Sequence, residues 1–142
     1  MSPLDRAVLA ERTAAIERHL ARVRSRLPDR ATDMVPATDA SDAVILHLWQ
    51  ATQIVIDLAV AACVAKGLGT PQNYADAFRK LEQAQVIDSS LADRLVRAAG
   101  FRNVVAHAYE QLDMARVHLA ATSGPTDLLA FVGALVRGVP QA

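Results

Sequence analysis

The sequence predicts an all-α protein, and three observations carry that expectation. Apolar residues make up 52% of the chain while aromatics make up only 4%, so the apolar surface is mainly alanine and aliphatic side chains. Those side chains recur at intervals of three and four residues rather than two. Glycine and proline, six of each, fall mostly between the apolar stretches. At 142 residues the chain is expected to form a single domain spanning 1–142, long enough to bury a real core. Its expected architecture is an up-and-down bundle of four to six helices.

The first helix is expected to start at Ser2 and Pro3, a hydroxyl cap followed by proline in the first turn. Asp5 adds a capping-box spacing. Leu4, Val8, Ala15, Ile16, Leu20, Val23 and Leu27 mark its apolar face up to Pro28. Arg6, Arg12, Arg18, Arg22, Arg24 and Arg26 fill the other face and are read as solvated. Residues 28–40, rich in proline, aspartate and threonine, form a loop.

Asp39 or Ser41 can cap a second helix running from about Asp42 to Lys66. That helix is apolar nearly all round, which places it at the centre of its bundle or in an interface between copies. His47, Gln50, Gln53 and Asp57 make one polar stripe along it. An aspartate set in such apolar surroundings needs a partner, because a lone buried carboxylate is costly. Its possible roles are an ion pair or a cap within the bundle, or the orienting of a basic group in a site.

Gly67-Leu68-Gly69-Thr70-Pro71 ends the second helix in a turn. Its glycine spacing is not that of a phosphate loop. Tyr74, Ala77, Phe78 and Leu81 predict a short third helix. Asp88, Ser89 and Ser90 offer caps for a fourth, which carries Leu91, Leu95, Val96 and Ala99 on its apolar side. Gly100 lies inside it and leaves room for another backbone to approach. Asp113 is placed to cap a fifth helix through Leu119, Thr122 to Pro125 to interrupt it, and a sixth to end at Gly138 and Pro140.

Fifteen basic residues balance fifteen acidic ones, which argues against a broad nucleic-acid-binding surface but leaves a local basic patch open. Cys63 is alone in an apolar run and is expected to be a buried thiol. The N-terminus lacks the charge and apolar pattern of a signal peptide. The Ile54–Ala65 run is short and interrupted by Asp57. A cytoplasmic protein with no membrane span is expected. No His-x-x-x-His pair or cysteine cluster occurs, so neither a structural metal nor a cofactor is expected. His19 and His118 read as surface residues, His47 has no partner at ligand spacing, and Trp49 reads as core or dimer interface.

The segment from Gly100 to Tyr109 is different. Arg102, Asn103, His107 and Tyr109 stand among small or apolar residues near the end of the fourth helix. Asn103 and His107 are one turn apart, whereas Arg102 and His107 point about 140° apart. A guanidinium grips phosphate with two parallel hydrogen bonds, and an imidazole moves protons near neutrality. Together they suffice to cleave RNA without a metal: the base takes the ribose 2′-hydroxyl proton and the cation stabilises charge on phosphorus. The plainer alternative pairs Arg102 with Asp93 or Glu110 and leaves His107 capping carbonyls.

Arg102-Asn103-x-x-x-His107-x-Tyr109 resembles the Arg-x4-His-x-Tyr motif of the HepT-like branch of HEPN domains, the ribonuclease toxins of toxin–antitoxin systems. The likeness extends to the long first helix, the apolar helix with Asp57, Pro71-x-x-Tyr74 and Leu112-Asp113. It implies a HEPN-like homodimer whose two Arg-x4-His motifs meet in one cleft. Arg102 and His107 match the catalytic positions, and Asn103 and Asp57 would support them. Tyr109 matches a tyrosine that a partner antitoxin, the minimal nucleotidyltransferase MntA, modifies with AMP. The protein is thus expected to be a metal-independent endoribonuclease toxin acting on RNA. The alternative is a non-catalytic partner of a nucleotidyltransferase that holds nucleotide or substrate.

Overall fold

A computed structural model describes residues 4–138. Among these residues the chain is five α-helices with no strand: α1 (Arg6–Arg26), α2 (Asp39–Ala65), α3 (Tyr74–Gln83), α4 (Ser89–Ala108) and α5 (Met114–Arg137). Two single 3-10 turns, Ala31–Asp33 and Tyr109–Gln111, lie in the connections. The all-α expectation holds, with a helix count inside the predicted range.

α1 starts from Asp5, whose side chain accepts the Val8 N–H at 2.8 Å, so Asp5 is the cap itself rather than a capping-box partner. The predicted start at Ser2 and Pro3, like the stop at Pro140, lies outside the described residues. The helix ends at Leu27 in extended backbone, the conformation that the following Pro28 favours. Leu9, Ile16, Leu20 and Val23 form the buried stripe, and the six arginines of the other face are exposed.

α2 begins three residues earlier than predicted. Thr38, not Asp39 or Ser41, is its cap, accepting the Ser41 N–H. Val44, Ile45, Leu48, Val55, Ile56, Leu58 and Ala62 are buried on it, and it packs against every other helix. That is the central position its all-round apolar sequence implied. By length and composition alone α2 and α5 could each cross a membrane, a mark that buried core helices also carry. Gly67 and Gly69 take φ of +71° and +90° in the turn after α2, a left-handed region where side chains with a Cβ are strained.

The predicted break at Thr122–Pro125 does not occur. α5 runs through Pro125 as one helix. Its buried residues Val117, Ala121, Leu128, Phe131 and Leu135 keep a helical stripe on both sides of the proline, and their packing outweighs the lost backbone hydrogen bond. Thr122 and Ser123 turn their hydroxyls back to the carbonyls of His118 and Leu119.

The buried side chains form two clusters. The larger joins α1, α2, α3, α4 and α5 around Phe78 and Phe131, whose rings meet edge to face at 5.6 Å. The smaller, at the other end of α2, holds Val23, Met34, Val44, Ile45, Leu48, Val105 and Val117. Cys63 is buried, as predicted, and burial pushes its thiol pKa up. Gly100 does not admit another backbone: a Cβ added there would meet nothing within 4 Å.

Candidate functional site

α4 is fixed at its start by Asp88, which accepts the Leu91 N–H at 2.7 Å. From there Leu91, Leu95, Ala99 and Val105 face the bundle. On a helix of about 100° per residue, Arg102 falls within that same inward stripe. It is the one position on the stripe where a cation replaces an apolar side chain, and it is half-buried. Asn103 and His107 fall on the opposite, exposed face.

Arg102 therefore reaches across to α2 and to the start of α3. Its Nε donates to Gln53 Oε1 at 2.7 Å, and its Nη1 to Asn103 Oδ1 at 3.2 Å. The Gln53 amide nitrogen in turn donates to Asp57 Oδ1 at 2.9 Å. The guanidinium carbon lies 5.5 Å from the centre of the Trp49 ring and 5.4 Å from that of Tyr74, within cation–π range of both. Trp49 is half-buried, with an indole N–H that has no hydrogen-bond partner. The two rings and an amide hold the cation where the bland expectation put a carboxylate. Asp93 pairs instead with Arg79 at 2.8 Å, and Glu110 makes no ion pair among the described residues.

Two of the five guanidinium N–H groups are thus engaged, which leaves about three for a ligand. Asp57 is exposed rather than enclosed by apolar neighbours, because its side of α2 is not covered by another helix. It bears on Arg102 only through Gln53. His107 makes no hydrogen bond among the described residues, to Arg102 or to any other group. The chain brings Arg102, Asn103 and Asp57 into one hydrogen-bonded line, but leaves His107 one turn beyond it on the outer face.

Tyr109 ends α4 and opens the following 3-10 turn. Its hydroxyl, on a side chain 43% exposed, donates to Asp42 Oδ1 in the first turn of α2. Partial burial, and next the Asp42 carboxylate, push the phenol pKa up to about 12. The phenol is thus turned toward Asp42, not toward Arg102.

The sequence does not mark Trp49, Gln53 and Tyr74 as site residues. Gln53 was visible in the polar stripe of an apolar helix, and Tyr74 in the Pro71-x-x-Tyr74 element, but their common target was not. The stripe itself divides: Gln53 and Asp57 serve Arg102, whereas His47 faces α1. There its Nδ1 lies 3.0 Å from His19 Nδ1, so the two rings pair between α1 and α2 and His19 is not a free surface residue. His118 Nε2 lies 2.8 Å from the Pro28 carbonyl and ties α5 to the loop after α1. Among the described residues no group of three histidine, cysteine or acidic side chains could hold a metal ion.

The family model described as "Ribonuclease HepT-like" matches residues 16–135. The mRNA nuclease HepT of Shewanella oneidensis is 30% identical over 107 residues, which span 75% of this chain and 80% of that protein. A tri-AMPylated HEPN toxin from the same organism, solved in complex with an MNT antitoxin, superposes with a TM-score of 0.82 at 26% identity, over 91% of this chain and 96% of that one. The Bacillus subtilis cytosolic protein YutE, of unknown function, shares the fold at a TM-score of 0.80 and 16% identity, over 97% of this chain and 92% of its own.

Proposed function

The chain belongs to the ribonuclease HepT-like family, and on that premise we propose that it is a metal-independent endoribonuclease toxin of a toxin–antitoxin system. The observation that carries this is the state of Arg102. Its guanidinium is half-buried, clamped by Trp49, Tyr74 and Gln53, and not neutralised by direct contact with a carboxylate. A fixed cation with open N–H groups suits a phosphate and the charge that develops on it during cleavage.

His107 then takes the 2′-hydroxyl proton. The 2′-oxygen attacks phosphorus, the bond to the 5′-oxygen breaks, and the departing oxygen receives a proton. Within one copy Arg102 and His107 diverge by about 140° around α4. The composite site is built by a homodimer in which the Arg-x4-His motifs of the two copies meet in one cleft, so that Arg102 of one copy works with His107 of the other. Asn103 spans the gap by holding Arg102 from the outer face.

A nucleotidyltransferase antitoxin of the MntA type is the proposed partner, adding AMP to Tyr109. That phenol is exposed and two residues from His107. The added adenylate would block RNA by bulk and like charge. The AMPylated state of the similar Shewanella toxin supports this.

The test is cleavage of total RNA by the purified protein in EDTA. Arg102→Ala and His107→Ala each abolish cleavage while circular dichroism and light scattering show a folded dimer. Mixing the two variants restores part of the activity, because a mixed dimer retains one intact site. Undiminished cleavage by both variants removes the assignment, and nucleotide binding without cleavage favours a non-catalytic binding module.

A further inference from the structure

The contact between Tyr109 and Asp42 joins residues 67 apart in sequence, from the end of α4 to the first turn of α2. Asp42 is not the cap of its helix, although as an acid in the first turn it suits the helix dipole. α2 is capped by Thr38, and among the described residues the Asp42 side chain makes no ion pair and no hydrogen bond besides this one. Asp39 and Glu110, the next acids along the two segments, and the neighbouring His107 make no hydrogen bond or ion pair with either group. Both partners are exposed, so a nucleotide presented by another protein can reach the phenol oxygen without the pair being dismantled first.

We propose that Asp42 is the proton acceptor for adenylylation of Tyr109. The inference rests on the proposed function, in which Tyr109 is the modified residue. Tyr109 Oη attacks the α-phosphorus of a nucleoside triphosphate, and the new O–P bond forms as the bond to the bridging β-phosphate oxygen breaks. Pyrophosphate leaves with that electron pair, and the phenolic proton passes to Asp42 Oδ1, from which it is lost to water. The product is a phosphodiester with no proton on the former phenol oxygen, so the proton has to leave during the reaction. With the phenol pKa pushed up to about 12 by partial burial and by Asp42 itself, the phenol is protonated at pH 7. An acceptor already hydrogen-bonded to the proton removes the need for prior ionisation. The same carboxylate repels a triphosphate, but both groups are exposed to water and the repulsion is screened. Once modified, Tyr109 cannot donate to Asp42, and two anions stand side by side, so the link between α4 and α2 is broken.

The experiment follows the initial rate of AMP incorporation by intact-mass spectrometry, with the full chain, the nucleotidyltransferase and Mg-ATP, from pH 6.5 to 10. Asp42→Asn keeps an oxygen that can accept from the phenol but is a far weaker base. It is expected to slow incorporation at least tenfold at pH 7, with the deficit shrinking as pH rises and the phenol ionises alone. Asp42→Glu is expected to retain more of the rate than Asp42→Asn. Equal rates for Asp42→Asn and the wild type, or a deficit constant across the pH range, overturn the base assignment. Absence of incorporation into the wild type, or labelling that persists in Tyr109→Phe, overturns the choice of Tyr109 and the inference with it. These outcomes differ from those in which only the Asp42 rate is unaffected.

Discussion

Arg102 Nε donates to Gln53 Oε1 at 2.7 Å, and through that amide a cation on α4 is connected to Asp57 one turn further along α2. The glutamine acts as a spacer. It fixes the guanidinium without cancelling its charge, which a directly paired carboxylate would do. Replacing Gln53 by leucine leaves a half-buried charged donor short of an acceptor, a loss of about 1.5–3 kcal/mol for a hydrogen bond to a charged group. RNA cleavage is expected to fall by about tenfold and the melting temperature to drop. Asp57→Asn, at an exposed position, is expected to change stability by less than about 0.5 kcal/mol. Cleavage kinetics and thermal melts of the two variants check this ranking.

The stacking of Arg102 between Trp49 and Tyr74 depends on a planar guanidinium. Lysine keeps the charge but loses the fork and the flat face. Arg102→Lys is expected to lose most cleavage activity, about a hundredfold, with circular dichroism unchanged. Trp49 is the chain's single tryptophan, so its fluorescence reports on the clamp directly. Its emission is expected to shift in Arg102→Lys and stay put in His107→Ala.

Burial holds the His19 and His47 pKa values below the ordinary imidazole value of 6.5. For His19 the neighbouring His47, Arg22 and Arg18 add to this, and for His47 Arg22 does. At 3.0 Å between their Nδ1 atoms one ring donates and the other accepts, which two protonated rings cannot do. Between pH 6.5 and the lower folded values, the unfolded chain binds protons that the folded chain refuses. Stability therefore falls as pH falls through that window and is unaffected by these two groups above it. The melting temperature is expected to decrease from pH 7.5 to 5.5, and to decrease less in a His19→Gln/His47→Gln variant. Parallel curves for the two proteins would assign the loss to other groups.

Pro125 costs α5 one backbone hydrogen bond and places a ring against the preceding turn. Pro125→Ala is expected to stabilise the protein by about 1–3 kcal/mol, raising the melting temperature by several degrees in calorimetry. A fall instead would mean that the proline ring supplies packing worth more than the bond it removes.

The sequence alone determined what is local. The 3.6-residue repeat set the helix faces, the all-round apolar run put α2 at the centre, and Asp88, Asp113 and the Gly67–Gly69 turn were legible because caps and turns act within a few residues. The Arg102–His107 divergence was legible too, since it follows from helix geometry. Tertiary structure decided what the side chains meet. Gln53 and Arg102 are 49 residues apart, His19 and His47 are 28 apart, and Asp42 and Tyr109 are 67 apart. Such pairs exist only once helices have docked, and their register depends on the packing of the whole core. The same holds for α5, where local signals at Pro125 favoured a break and the buried stripe from Val117 to Leu135 kept one helix, because apolar burial summed over several turns exceeds the loss of one hydrogen bond.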